Sequence, residues 1–440
     1  MSLIDQLTPV IAHPALDLFQ RVPLQNTILE TKTETLLPFT QLNTGSNYEF
    51  RINTAYNEFI ALNKTRLRIE FRVKLAKSDG SAVAATDWNN VSVVNNLIHS
   101  MFSQIDVFFG DTPTTSALQT YPYRAYIETL LETPKRVMDT WKYFSMYTDD
   151  DMGSSKMDLP NEGRISRIKA TTAPYNTGKL VSLNDTLFTD PMRFQNDLVG
   201  GMDVKIRLIP SRPEFIFMTN DTKIIPSIEF TRIELDIVKH YINGDFVLGL
   251  LNGLNTTGAK YPCTRTEVRS YTIDTGTTSK NIDNMIIGQM PKRFCVAFVN
   301  NQAFSGSFTK NPYYFGNYKI DYLQAYVNGD PIRSTPYTPD FDNDIFDREY
   351  IELQRISGNL NQNSMNALTP SKWKYGYTNL SPDQSDTFEH GFISDRTQGY
   401  LKLQIRFKEA LTSTINCLVF CKFENQITID SLHNTSNDAT

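Results

Sequence analysis

Residues 66–75 read Arg66-Leu-Arg-Ile-Glu-Phe-Arg-Val-Lys-Leu75, five apolar side chains interleaved with five charged ones. Leu67, Ile69, Phe71, Val73 and Leu75 share one parity; Arg66, Arg68, Glu70, Arg72 and Lys74 share the other. An extended chain sends alternate side chains to opposite sides, so this stretch predicts a β-strand with one dry face and one wet face. The alternation recurs at Val204/Ile206/Leu208 and at Leu401/Leu403/Ile405/Phe407. From Ile415 to Phe423 both parities turn apolar in the middle, which predicts a strand buried on both sides.

Between Ile228/Phe230 and Ile233/Leu235/Ile237 the apolar phase slips. One extra residue near Arg232, a β-bulge, would return all of them to a single face. Asn328-Gly329, after Tyr326-Val327, has the composition of a type I′ hairpin turn. Helical spacing is scarce. Tyr123, Tyr126, Ile127, Leu130 and Leu131, with Pro122 in the first turn, predict a helix. Phe346, Tyr350, Ile351 and Leu353 suggest a short second helix, and Val247 to Leu254 a third where two halves would join.

Three words recur between those halves. Gln104-Ile105-Asp106-Val107-Phe108-Phe109-Gly110-Asp111 precedes the helix that carries Tyr126-Ile127-Glu128. Lys319-Ile320-Asp321 leads through Tyr326-Val327-Asn328-Gly329-Asp330 to the helix that carries Tyr350-Ile351-Glu352. Later, Lys205-Ile206-Arg207-Leu208 is echoed by Gln404-Ile405-Arg406-Phe407. The order is the same in both halves, so one β-domain plan is used twice. Antiparallel strands with long excursions point to Greek-key sandwiches, of which eight-stranded jelly rolls are one form.

Length agrees. A chain of 440 residues exceeds one ordinary core, so two domains of about 200 residues each are expected. The 40% apolar and 21% charged content excludes a disordered chain. A net charge of −5 and the absence of a basic tail at either end argue against strong direct nucleic-acid binding. No signal-peptide pattern and no run of 18 apolar residues occurs, so synthesis inside the cell without secretion is expected, and the sequon at Asn63 counts for nothing. Cys417 and Cys421 fall on one face of a buried strand and read as small apolar residues rather than as a disulfide or a metal pair.

No catalytic, cofactor-binding or metal-binding residue stands out. The five histidines (His13, His99, His240, His390, His433) never fall at helical spacing, and there is no HExxH, CxxC or Gly-x-Ser-x-Gly. Asp149-Asp150-Asp151 reads as a solvated loop cluster before it reads as a cation site. Asp340, Asp342 and Asp344 start like a calcium loop, but Ile345 and Ile351 stand where Gly and Glu are needed. Gly153-Ser-Ser-Lys156 and Gly276-Thr-Thr-Ser-Lys280 lack the phosphate-loop pattern and read as turns. The charges of residues 66–74 are a solvated or inter-subunit face, since Glu70 interrupts the row.

The run Asn95-Asn-Leu-Ile-His-Ser-Met-Phe-Ser-Gln-Ile-Asp-Val107, followed by Tyr121-Pro-Tyr-Arg-Ala-Tyr-Ile-Glu-Thr-Leu-Leu131, resembles the hexon-like major capsid proteins of Polinton/Maverick elements and adintoviruses, which also occur as open reading frames in animal genomes. Gly258-Ala-Lys-Tyr-Pro262, Gln289-Met-Pro291, Asn300 to Asn317 and Thr414 to Asp430 extend the likeness over most of the chain, while 145–192 and 431–440 depart from it. The resemblance implies an all-β protein of two tandem eight-stranded jelly-roll sandwiches with a few short helices in the connections. It implies an N-terminal arm over 1–22, a first jelly roll over 23–240, a second over 241–430 and a C-terminal tail over 431–440. It further implies a homotrimeric, pseudo-hexameric capsomer in an icosahedral virion shell, with vertex (penton) and minor capsid proteins as partners. An inner membrane is left open. The polar stretch 145–192 would then be a long outward tower loop. The arm, with Leu3, Ile4, Leu7, Val10, Ile11, Leu16, Leu18 and Phe19, would grip a neighbour, a minor protein or a membrane, or else pack on its own domain. Two other classes compete: a carbohydrate- or receptor-binding β-sandwich module with an aromatic groove, and a β-sandwich glycosidase with paired carboxylates.

Overall fold

The computed structural model describes residues 24–42, 45–150, 158, 161–172, 178–357, 368–381 and 397–437. The arm over 1–22 lies outside them. Arg66–Lys77 is a strand, with Leu67, Ile69, Phe71 and Val73 buried and the intervening charges turned outward. In chain order the principal strands of the first half are β1 (Ile28–Leu36), β2 (Tyr48–Ile52), β3 (Arg66–Lys77), β4 (Phe102–Phe109), β5 (Thr112–Pro113), β6 (Val181–Thr186), β7 (Val204–Pro210) and β8 (Ile224–Ile242). They pair antiparallel as β1-β8-β3-β6 and β2-β7-β4-β5.

The second half supplies β9 (Ala259–Ile273), β10 (Ser279–Gln289), β11 (Arg293–Asn300), β12 (Ile320–Val327), β13 (Asp330–Pro331), β14 (Asn379–Leu380), β15 (Gln398–Phe407) and β16 (Ile415–Ile429). These pair as β9-β16-β11-β14 and β10-β15-β12-β13. Adding eight to each label of the first half gives the second. Two four-stranded sheets joined in this order make a jelly roll, and the chain contains two of them. Short extra strands lengthen some sheets, among them Thr435–Asn437, which pairs back onto the end of β16.

The bulge lies between Phe230 and Arg232, which pair with Phe71 and Glu70, so Thr231 is the extra residue. Asn328 (φ 54°) and Gly329 (φ 92°) form the two-residue turn between β12 and β13. The echoed words fall on equivalent elements: Gln104–Phe109 on β4 and Ile320–Val327 on β12, Lys205–Leu208 on β7 and Gln404–Phe407 on β15. Helix α1 (Tyr121–Glu132) follows β5, and a matching helix, Asp347–Ile356, follows β13.

Two expectations are corrected. Residues 145–192 are not one long loop. They contain α2 (Glu162–Thr171), the sheet strand β6 and a short turn of helix at Pro191–Arg193. Strand β6 was hidden because its inward positions are Leu183 and Asp185, one apolar and one charged. In the helix Asp347–Ile356, Leu353 and Ile356 are buried but Ile351 is half exposed, because it sits on the outer side of that turn.

Each sandwich closes over its own alternating residues, Phe50, Ile69, Phe71, Val107 and Leu235 in the first, Val296, Phe298, Leu323, Leu403 and Ile405 in the second. The second core also takes in α1 from the first half, with Tyr123, Tyr126, Ile127, Leu130 and Leu131. Tyr126 stacks on Tyr313 with ring centroids 4.0 Å apart. This explains why β16 is apolar on both sides: one face meets its own sandwich, and Phe420 lines a crevice with Leu131 of α1 and Leu353. Helix α3 (Gly244–Thr257) bridges β8 and β9, burying only Val247 and Leu254.

Candidate functional site

His99 is buried; its Nε2 lies 3.1 Å from Asp185 Oδ2 and its Nδ1 2.9 Å from the Tyr121 hydroxyl. The carboxylate takes the Nε2 proton as a hydrogen bond, which leaves Nδ1 to accept from Tyr121. Burial pushes the imidazole pKa down and keeps the ring neutral. Burial alone would raise the Asp185 carboxyl, but His99 and the Lys142 ammonium at 2.6 Å hold it well below the usual carboxylate range. Ser145 also donates to Asp185. A nucleophilic serine would have to face the imidazole, and this one faces the carboxylate. The arrangement is a closed structural network.

The remaining candidates are equally committed. His240 Nδ1 lies 2.6 Å from Asp197, and His433 Nε2 3.1 Å from the Gly200 carbonyl. His13 and His390 lie outside the described residues. Asp149 pairs with Lys372, and buried Asp150 lies 3.0 Å from the Arg167 guanidinium on α2. Asp151 and Gly153–Lys156 are outside the described residues. The Asp340 carboxylate accepts from the backbone N–H groups of Asp342 and Asn343, and Lys408 pairs with both Asp340 and Asp342. Gly276 (φ 79°) sits in the turn between β9 and β10. Cys417 and Cys421 are free and buried. Among the described residues no group of three or more His, Cys, Asp or Glu could hold a metal. The charges along β3 are partly neutralised by Glu70, Glu229 and Glu234.

Association surfaces are a different matter. Beyond α1 the chain makes a short helix, Lys135–Thr140, and one turn of 3₁₀ helix, Lys142–Ser145. With three residues per turn, Lys142 and Ser145 fall on the same side. Both point inward to Asp185. Tyr143 and Phe144 are thereby turned out, 64% and 55% exposed, beside Trp141 at 44%. The Arg66 guanidinium lies 4.2 Å over the Trp141 ring. A large apolar group at the surface of a stable fold marks a place where something else packs. A second exposed group follows β1, with Leu37 at 64% and Phe39 at 74%. Strand β1 itself is an edge strand exposed along eight of its nine residues. The sequence did not single these residues out, because an aromatic cluster without periodicity carries no sign of which way it faces.

Helix α1 fixes the relation between this surface and the second sandwich. Arg124 donates to Asp190 at 2.5 Å, to Glu128 at 3.1 Å and to the Thr266 carbonyl of β9 at 3.3 Å. Asp190 accepts in turn from the Thr266 N–H at 3.2 Å. Glu132 meets Arg193 at 3.1 Å and Lys422 of β16. Glu132 is itself exposed, and its two cationic partners, Lys422 and Arg193, bring its carboxyl down to about 2.

No family model matches the chain. It is similar to an uncharacterized protein of Caenorhabditis elegans, 23% identical over 411 residues, which are 89% of this chain and 93% of that one. Among solved structures it is similar to a chain of the Sputnik virophage, with 12% identity, a TM-score of 0.64 and coverage of 100% and 95%. The Faustovirus major capsid protein matches at 9% identity and a TM-score of 0.56 over 96% and 93% of the two chains. The mavirus major capsid protein matches at 12% identity and a TM-score of 0.52 over 100% and 97%. At such identities the likeness is one of fold, and that fold is the double jelly roll of viral major capsid proteins.

Proposed function

We propose that this chain is a structural, non-enzymatic capsid subunit, a hexon-like major capsid protein of the Polinton/Maverick and adintovirus kind. The observation that carries the reading is the strand order 1-8-3-6 over 2-7-4-5, repeated within one chain and matched over nearly its whole length by viral capsid proteins. The relative in an animal genome suits an element that resides in such genomes. We take the working division as arm 1–22, jelly rolls 23–240 and 241–430, and tail 431–440.

Three copies side by side present six similar sandwiches and so a pseudo-hexagonal footprint, a shape that tiles an icosahedral shell. The exposed Trp141, Tyr143 and Phe144 surface supplies the apolar area for contacts between copies. An obligate interface of this kind buries more than about 2,000 Å². Vertex and minor capsid proteins are the expected further partners, and the virion shell, assembled inside the host cell, is the expected location. The acidic net charge of −5 and the paired charges of β3 favour protein over nucleic acid as the partner. Negative-stain microscopy of the purified protein tests the reading. Threefold particles with a hexagonal outline are expected; uniformly small single-chain particles would refute it.

A further inference from the structure

Between the two jelly rolls lies a cleft of about 620 Å³, within the size range of small-molecule sites. Its walls come from both halves: residues 118–123 at the start of α1, residues 211–215 after β7, residues 268–271 of β9, and the short helix Asn301–Ser305. The aromatic wall is firmly built. Phe304 stacks on Tyr123 with ring centroids 5.5 Å apart and planes at 18°, and Phe215 meets Tyr123 edge-on at 5.7 Å. Tyr271 is pinned by its hydroxyl to the Met285 carbonyl. Phe215, Phe304 and Tyr271 are only half-buried, so parts of their surfaces face the cleft.

The polar lining is open to solvent in part: Ser270 and Ser305 line the cleft and are exposed. Arg212 lines the cleft and is exposed. Arg269, across from it, is held by Glu267 at 2.9 Å and 3.1 Å. Among the described residues Arg212 has no ion-pair partner while Arg269 is already neutralised, which suits a single carboxylate better than a phosphate dianion.

We propose that this inter-roll cleft binds an acidic saccharide: the apolar face of the sugar ring against Phe304 and Phe215, its hydroxyls toward the serine-rich lining, its carboxylate on Arg212. Aromatic walls receive the C–H faces of a sugar, and serine hydroxyls serve as both donor and acceptor to its ring substituents. The site is additional to shell assembly and does not depend on it.

The test is saturation-transfer NMR and titration of the purified full chain with N-acetylneuraminic acid and glucuronic acid, with N-acetylglucosamine, galactose and acetate as controls. Saturable binding of at least one acid sugar with Kd near ~1 mM is expected, with the controls at least about tenfold weaker. Arg212→Gln, at an exposed residue, should weaken that binding by about tenfold or more while leaving the melting curve in place, and Phe304→Ala, which also loosens the stack on Tyr123, should weaken it by at least as much with a lower melting temperature. No saturable signal from either acid, controls that bind equally well, or unchanged affinity in both variants would overturn the assignment.

Discussion

Two aromatic clusters, Tyr126 and Trp141 being 15 residues apart, sit in the same connection between β5 and β6, and they have opposite fates. Tyr123 and Tyr126 on α1 are buried in the core of the second jelly roll. Trp141, Tyr143 and Phe144, one short helix later, stand out from the first. The contrast shows a surface used up within the chain and a surface left over. The first joins the two sandwiches through one helix; the second is the surface that the proposed function assigns to contacts between copies.

The difference can be broken from either side. Tyr126→Ala removes a fully buried ring from the junction and should cost about 3–5 kcal/mol, read as a lower denaturant midpoint. A loss below ~1 kcal/mol would mean that α1 is not part of the second core. Trp141→Asp with Phe144→Asp should leave the stability of the single chain within about 1 kcal/mol but weaken self-association by at least ~30-fold, as the loss of an aromatic hot spot of ~2 kcal/mol does. Sedimentation velocity reads both states, and equal association in wild type and variant would sink the patch as a contact surface.

Acid sharpens the junction side. The Glu132 carboxyl is lowered in the folded chain from 4.5 to about 2. Its contribution is therefore complete above the unfolded value and is lost as pH falls from about 4.5 through about 2. Melting temperature should drop across that window, and Glu132→Gln should flatten that part of the profile; identical acid profiles would contradict the pairing with Lys422 and Arg193. The smallest effect belongs to a control on the wet face of β3, away from both clusters. Lys74→Ala breaks an exposed pair with Glu229 and should change stability by no more than ~0.5 kcal/mol, with association untouched.

Much of the fold was legible because its rules are local. Alternation marked β3, β7 and β15, the phase slip marked the bulge at Thr231, and Asn328-Gly329 marked a turn that only positive φ values close. The recurrence of words marked the equivalent strands. What was not legible depends on partners far away in the chain. Strand β6 carries a buried Asp185 whose charge is tolerated because His99, Lys142 and Ser145 converge on it from elsewhere. Strand β1, Ile28–Leu36, has almost no buried face and therefore no apolar period to read. The aromatic surface was invisible for a related reason: inward Lys142 and outward Phe144 invert the usual expectation, and only the 3₁₀ turn over Asp185 explains it. The buried residence of α1 in the opposite sandwich is likewise a property of the assembled pair.

Light scattering after size-exclusion chromatography, at micromolar concentration and near-neutral pH, bears most directly on the claim that the leftover surface meets sister copies. A particle of three chain masses is the result expected of a subunit built this way. A single-chain mass that persists as the concentration is raised would contradict it.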